Sequence, residues 1–197
     1  MKIGIIGTAG RHEDGPKMTL PMWETMNSHI RLVIEKLTKH DEPIDLVSGG
    51  AACADHLAVN LWLKGIGDSL TLHLPAAFHH SRFETTKGKL DPGRIASYYH
   101  EMAQRRTHVD GLRDIQRAIE KGAVVTVSPG FHARNLLVGD VDLLVAYTFG
   151  TRTCLVTSSS DAWKNHTLAG LKDGGTAHTW DNSNAPIKLH TNLQDWC

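Results

Sequence analysis

The chain has 197 residues, in which 21 Lys+Arg balance 21 Asp+Glu and 13 His are added. Without a basic excess it has no general hold on a phosphate backbone, which argues against nucleic-acid binding by bulk charge. At 41% hydrophobic and 21% charged residues it suits one domain with a sizeable core, and disorder, collagen-like repeats and coiled coil are excluded.

The first segment, Ile3-Gly4-Ile5-Ile6, is a β-branched run that opens into Gly7-Thr8-Ala9-Gly10-Arg11, a buried strand followed by a tight loop. It lacks the basic-then-apolar layout of a signal peptide, and no apolar run is long enough to cross a bilayer, so the expected location is the cytoplasm with no membrane partner. Met22, Met26, Ile30, Val33, Ile34 and Leu37 then recur at the spacing of one helical face. Ile44 to Val47 is the next strand, ending at Ser48-Gly49-Gly50. Ala54, Leu57, Ala58, Leu61 and Trp62 form a second helical stripe before the strand Leu70 to Leu74. Strands and helices in this alternation predict a parallel sheet with helical crossovers.

Residues 79–121 break the rhythm with two successive helix patterns, Ile95, Tyr98, Tyr99 and Met102 and then Leu112, Ile115 and Ile119. Tyr98 is placed in the core by that spacing. This insertion carries 9 Lys+Arg against 6 Asp+Glu, and it is expected to act as a basic lid, with Arg105, Arg106, Arg113 and Arg117 as the side chains within reach of a diphosphate. Ala123 to Val127 and Val141 to Tyr147 resume the strands, with a helical turn between them. Thr153 to Thr157 and Pro186 to His190 read as further strands, and Gly175 to Asn182 as a helix start. Three cysteines, Cys53, Cys154 and Cys197, in no metal-ligand spacing imply neither a disulfide framework nor a zinc site. No cofactor is implied.

Ligands of an open parallel sheet bind at the carboxyl ends of its strands. The glycine-rich turns fall at such ends: Gly7 to Arg11, Ser48-Gly49-Gly50-Ala51, Ser128-Pro129-Gly130 and Gly174-Gly175-Thr176. Backbone N–H groups at a helix start form an anion site, so a phosphate-bearing small molecule is the expected guest. The turns match neither G-x-x-x-x-G-K-[ST] nor G-x-G-x-x-G, which counts against ATP hydrolysis and ordinary NAD-dependent hydride transfer.

The run Val47-Ser48-Gly49-Gly50-Ala51-Ala52-Cys53-Ala54-Asp55-His56-Leu57-Ala58 resembles the "SGGAxGAD" segment of the SLOG superfamily, a Rossmann-like group that includes the Lonely Guy phosphoribohydrolases, DprA and the YpsA-like and YspA-like proteins of bacteria and phages. In the same order, Gly7 to Arg11 resembles its first phosphate loop, Phe131-His132-Ala133-Arg134-Asn135 its "RN" motif, Asp142 to Ala146 the following strand, and Gly174 to Thr179 its closing "GGT" helix start. The resemblance implies an α/β Rossmann-like three-layer sandwich over residues 1–197, with a mostly parallel sheet and the helical insertion. It also implies a nucleotide or nucleotide-sugar ligand, and action at its N-glycosidic or phosphoribosyl bond. By analogy with the "MHxRK" of Lonely Guy enzymes, Arg134 holds phosphate or sugar. The glutamate that those enzymes carry in "PGGxGTxEE" has no counterpart here, where His178 and Thr179 stand in the corresponding stretch and Asp173 precedes the glycines.

The candidate catalytic residues are therefore Arg134 with a carboxylate from elsewhere, Asp55 or Glu84, since an oxocarbenium-like transition state needs one nearby. The candidate nucleotide-binding residues are Gly7, Thr8, Arg11, Ser48, Gly49, Gly50, Asn135, Tyr147, Gly174, Gly175, Thr176 and His178, with Tyr147 as a platform for the base. The missing glutamate leaves a second reading open, a non-catalytic sensor or sequestering protein for an ADP-ribose-like signal. A third, a DprA-like binder of single-stranded DNA, runs against the charge balance. A homodimer is compatible with all three.

Overall fold

The computed structural model describes residues 1–39, 41–88, 90–128, 130–150, 154–157 and 175–197. Its main sheet has seven strands in the order β6-β3-β2-β1-β7-β9-β8. These are β1 Lys2–Gly7, β2 Asp45–Ser48, β3 Ser69–Leu74, β6 Val124–Val127, β7 Leu143–Thr148, β8 Cys154–Thr157 and β9 Ile187–Asn192. Every neighbouring pair is parallel except β8 with β9. The short β4 Phe78–His79 and β5 Arg82–Phe83 form a separate antiparallel hairpin. The helices are α1 Leu20–Leu37, α2 His56–Leu63, α3 Pro92–Thr107, α4 Gly111–Glu120, α5 Phe131–Val138 and α6 Gly175–Asn182. No helix among the described residues is long and apolar enough to cross a membrane.

Two apolar clusters define the three layers. Ile3 and Ile5 of β1 and Leu143, Val145 and Tyr147 of β7 face α1 to α4. Ile6, Leu144 and Ala146, the alternate residues, face Val138 of α5 and Ala177 and Trp180 of α6. Both faces of the central strands are covered, which is why β7 is buried at all six positions. The fold is a Rossmann-like α/β sandwich. α1 begins where Thr19 Oγ1 accepts the Met22 N–H at 3.4 Å, with a proline in the first turn, and it buries the Met22, Met26, Ile30, Val33 and Ile34 stripe that its sequence spacing predicts. Each such side chain stabilises the fold by about 1.5–3 kcal/mol.

The insertion is an integral part of the first layer. Ile115 and Ala118 of α4 are fully buried, and Asp91 and Asp110 start α3 and α4 by accepting the N–H groups of Arg94 at 2.8 Å and Arg113 at 3.1 Å. Tyr98, expected in the core, is instead 54% exposed, because the buried face of α3 runs through Ala96, His100 and Ala103. Arg105, Arg113 and Arg117 are exposed. Arg106 alone of the four reaches the rim, where its Nη1 donates to Gly10 O at 3.4 Å.

His100 joins the insertion to the rim, its Nε2 donating to Gly50 O at 3.0 Å. Burial, reinforced by His56 beside it and opposed by the Gly50 carbonyl, pushes His100 down from 6.5 to about 4. Between those values the unfolded chain takes up a proton that the folded chain refuses, so this stability is full above about pH 6.5 and falls by about 3 kcal/mol toward pH 4. Asp55, described below, works in the opposite sense over much of that window. The expected outcome is therefore read as a difference: in urea unfolding, His100→Gln gains on the wild type as pH drops from 6.5 to 4.

Gly7 closes β1 where no side chain fits. A Cβ there would stand 2.1 Å from the Tyr147 carbonyl oxygen and 2.7 Å from Ala54 Cβ. Gly7→Ala is expected to cost about 3 kcal/mol or more and to lower the melting temperature by about 10 °C, measured by calorimetry.

Candidate functional site

The strand order runs outward from β1 through β2 to β3 and β6, then crosses to β7 on the other side. Open parallel sheets leave a crevice at such a reversal. Here it is a cavity of about 60 Å³, bordered by Gly7, Thr8, Ala9 and Arg11 after β1, by Ala51 and Asp55 after β2, by Arg134, Asn135 and Val138 of α5, and by Gly175, Thr176 and Thr179 of α6.

The loops are held by their own polar side chains. Thr8 Oγ1 donates to Asp14 Oδ2 at 2.7 Å and accepts the Gly10 N–H at 3.1 Å. Ser48 Oγ donates to Asp55 O at 2.8 Å and accepts the Gly50 N–H at 3.0 Å. Thr176 Oγ1 donates to Gly7 O at 2.7 Å, tying the start of α6 to the end of β1. Ser48, Gly49 and Gly50 thus shape the second loop without lining the cavity. Gly49 is needed there: a Cβ would lie 2.8 Å from both Arg134 Cζ and Asp55 Oδ2, and its carbonyl accepts Arg134 Nη1 at 2.9 Å.

Arg134 is 7% exposed. Its Nε and Nη2 both donate to Asn135 Oδ1, at 3.2 and 2.7 Å. Those bonds fix which way the Asn135 amide points, since guanidinium nitrogens can only donate. Asn135, 1% exposed, therefore presents Nδ2 as a buried donor, and that donor has no partner among the described residues. A buried N–H left without an acceptor costs about 1–3 kcal/mol, and an oxygen of a bound anion would satisfy it.

Asp55 is the acidic member of the cleft. It stands in the N-cap position of α2 yet makes no capping bond. Its carboxyl is pushed up from 3.8 to about 6, chiefly by burial, with the guanidinium of Arg134, the N–H groups of Gly7 and Ala51, and Arg11 opposing the shift. Burial in turn lowers Arg134, and Asp55 partly restores it. At neutral pH the cleft holds two guanidinium groups and one carboxylate, a net positive charge that favours an anion.

Three more expected site residues lie outside the cavity lining. Tyr147 has the parity of Leu143 and Val145, so it enters the α1 side of the sheet, where it is fully buried with its hydroxyl 2.8 Å from His29 Nδ1; it is no platform for a base in this cleft. Glu84 follows the β4–β5 hairpin, exposed and 3.6 Å from His79 Nε2, away from the cavity lining. His178 packs edge-on against His132, with ring centroids 4.8 Å apart, outside the lining. Gly174 lies outside the described residues. Ala9, Ala51 and Thr179 line the cavity as members of the turns and helix start already singled out, whereas Val138 lines it without a signal in the sequence that separates it from ordinary helix residues. Asp14, buried where it accepts from Thr8 Oγ1, also shapes the first loop. Among the described residues, no three His, Cys, Asp or Glu side chains gather as metal ligands.

Fold and cleft together define an open α/β protein of Rossmann-like type with a polar cavity at its switch point. No family model matches the chain, and no solved structure matches it significantly. Its sequence is similar to that of the uncharacterized protein R261 of Acanthamoeba polyphaga mimivirus, 27% identical over 197 residues, 98% of this chain and 96% of that one.

Proposed function

We propose that the protein is a SLOG-like Rossmannoid that binds a nucleotide or nucleotide-sugar in this cleft and acts at its N-glycosidic or phosphoribosyl bond. The observation that carries this reading is the Asn135 amide N–H, without a partner among the described residues, beside the buried Arg134 and facing a cavity that also holds Asp55. A volume of about 60 Å³ is well below the roughly 300 Å³ at which small-molecule pockets begin, so the cavity takes one part of the ligand, its phosphate or ribose phosphate. Asn135 Nδ2, Arg134 and Arg11 would hold the phosphate. Asp55, ionised above about pH 6, would face the sugar carbon as its bond to the base breaks. The electron pair leaves with the base, which takes up a proton from solvent, while water adds to the sugar carbon and gives its proton to Asp55, which returns it to solvent.

One observation favours the non-catalytic sensor instead: the Asp55 carboxyl is already engaged by the Gly7 and Ala51 N–H groups. Incubation with nucleoside monophosphates and NAD derivatives separates the readings. Released base supports the enzyme; a raised melting temperature without consumption supports the sensor; neither, in a folded sample, overturns both.

A further inference from the structure

Beside the polar cleft lies a second cavity, about 20 Å³, walled by the apolar Pro75, Ala96, Tyr99 and Phe131. Arg11 and Arg134 border both cavities. Each guanidinium lies over a ring of the second one: Arg11 Cζ is 4.8 Å from the Tyr99 centroid and Arg134 Cζ is 5.5 Å from that of Phe131. The two arginines differ in how they are held. Arg134 is buried and donates to Gly49 O and Asn135 Oδ1. Arg11 is exposed, and among the described residues its side chain makes no hydrogen bond or ion pair; it rests on Tyr99.

We propose that the slot between Tyr99 and Phe131 is the subsite for the planar ring of the ligand, and that Arg11 keeps it shut until the phosphate arrives. The inference rests on the reading of the polar cleft as a phosphate site. An exposed cation–π contact is weaker than a charge-assisted hydrogen bond to phosphate, so an anion in the cleft draws Arg11 off the Tyr99 face. The bared ring then stacks a base, for which aromatic faces are sequence-tolerant platforms. The small present volume is that of the shut state: a ring does not fit until the guanidinium has left. The surplus aromatic and apolar lining, which phosphate does not use, is what a base requires.

Calorimetric titration with ribose 5-phosphate, the four common nucleoside monophosphates and their phosphate-free nucleosides tests this. In the wild type at least one monophosphate binds about tenfold or more tightly than ribose 5-phosphate. Tyr99→Ala lowers that ratio about tenfold and Tyr99→Phe keeps it. Arg11→Gln binds the matching nucleoside more tightly than the wild type does, because the slot is no longer occupied. If ribose 5-phosphate binds and no monophosphate exceeds it, or if Tyr99→Ala leaves the ratio unchanged, the base subsite is overturned while the phosphate site stands. If Arg11→Gln gains nothing on the nucleoside, the shutter is overturned. If neither ribose 5-phosphate nor any monophosphate binds, both readings fall.

Discussion

Arg134→Met is expected to weaken nucleoside monophosphate binding about 100-fold or more while leaving the protein folded. The side chain is almost wholly buried, so methionine fills much of its volume with apolar atoms. What is lost is the charge beside the cavity and the clamp that aims the Asn135 amide. Hydrogen bonds to a charged group contribute about 1.5–3 kcal/mol each, and the upper figure alone corresponds to about 100-fold in affinity. The substitution also removes the largest opposing influence on Asp55, whose carboxyl then rises above its present value of about 6. Calorimetric titration gives the first effect and carboxyl NMR titration the second; unchanged affinity would remove Arg134 from the site.

Asp55→Asn has the opposite signature. The cleft loses its carboxylate and becomes more positive, so an anionic ligand binds more tightly, by about tenfold for a charge of this kind in a partly desolvated site. Turnover, where it exists, falls by about 100-fold or more, because the charge that would stabilise the sugar cation is gone. In the wild type, turnover rises as pH increases through about 6, the value to which burial has moved the carboxyl. Tighter binding without turnover in the variant supports Asp55 as the reacting carboxylate. Weaker binding would show that it holds the loop instead, through its contacts with the Gly7 and Ala51 N–H groups.

How much of this was legible in the sequence depended on periodicity. The Met22 to Ile34 stripe identified α1, and the apolar runs ending in glycine located β1 and β2 together with the turns that border the cleft. Tyr147 shows where that evidence ends. In a strand buried at all six positions no residue distinguishes one face from the other, so alternation cannot say on which side a given ring lies. Tyr98 shares the helical spacing of Ile95 and Met102, but the buried stripe of α3 is narrow and centred on small residues, Ala96 and Ala103. Glu84 follows strands of two residues each, too short for any period to register.

Asp55 was legible as an acid at a helix start and as one of two candidate carboxylates, and the structure places it in the cleft. Its backbone follows Cys53, which adopts a left-handed conformation with φ of 62° that few non-glycine residues take up. The carboxyl is engaged by the N–H groups of Gly7 at the end of β1 and Ala51 after β2 rather than by the helix N–H groups. The pairing of Arg134 with Asn135 was visible only as adjacency. That one side chain orients the other and leaves Nδ2 without a partner among the described residues is a matter of rotamer and burial, which sequence does not state.

On the proposed function, Asn135 Nδ2 is a buried donor that takes an oxygen of the ligand as its acceptor. Proton–nitrogen correlation of the side-chain amides, with the Asn135 pair assigned by its disappearance in Asn135→Asp, reads that atom directly during titration with ribose 5-phosphate. The expected result is a downfield shift of the Asn135 amide proton that saturates together with binding. A ligand that binds and leaves this resonance unmoved would contradict it.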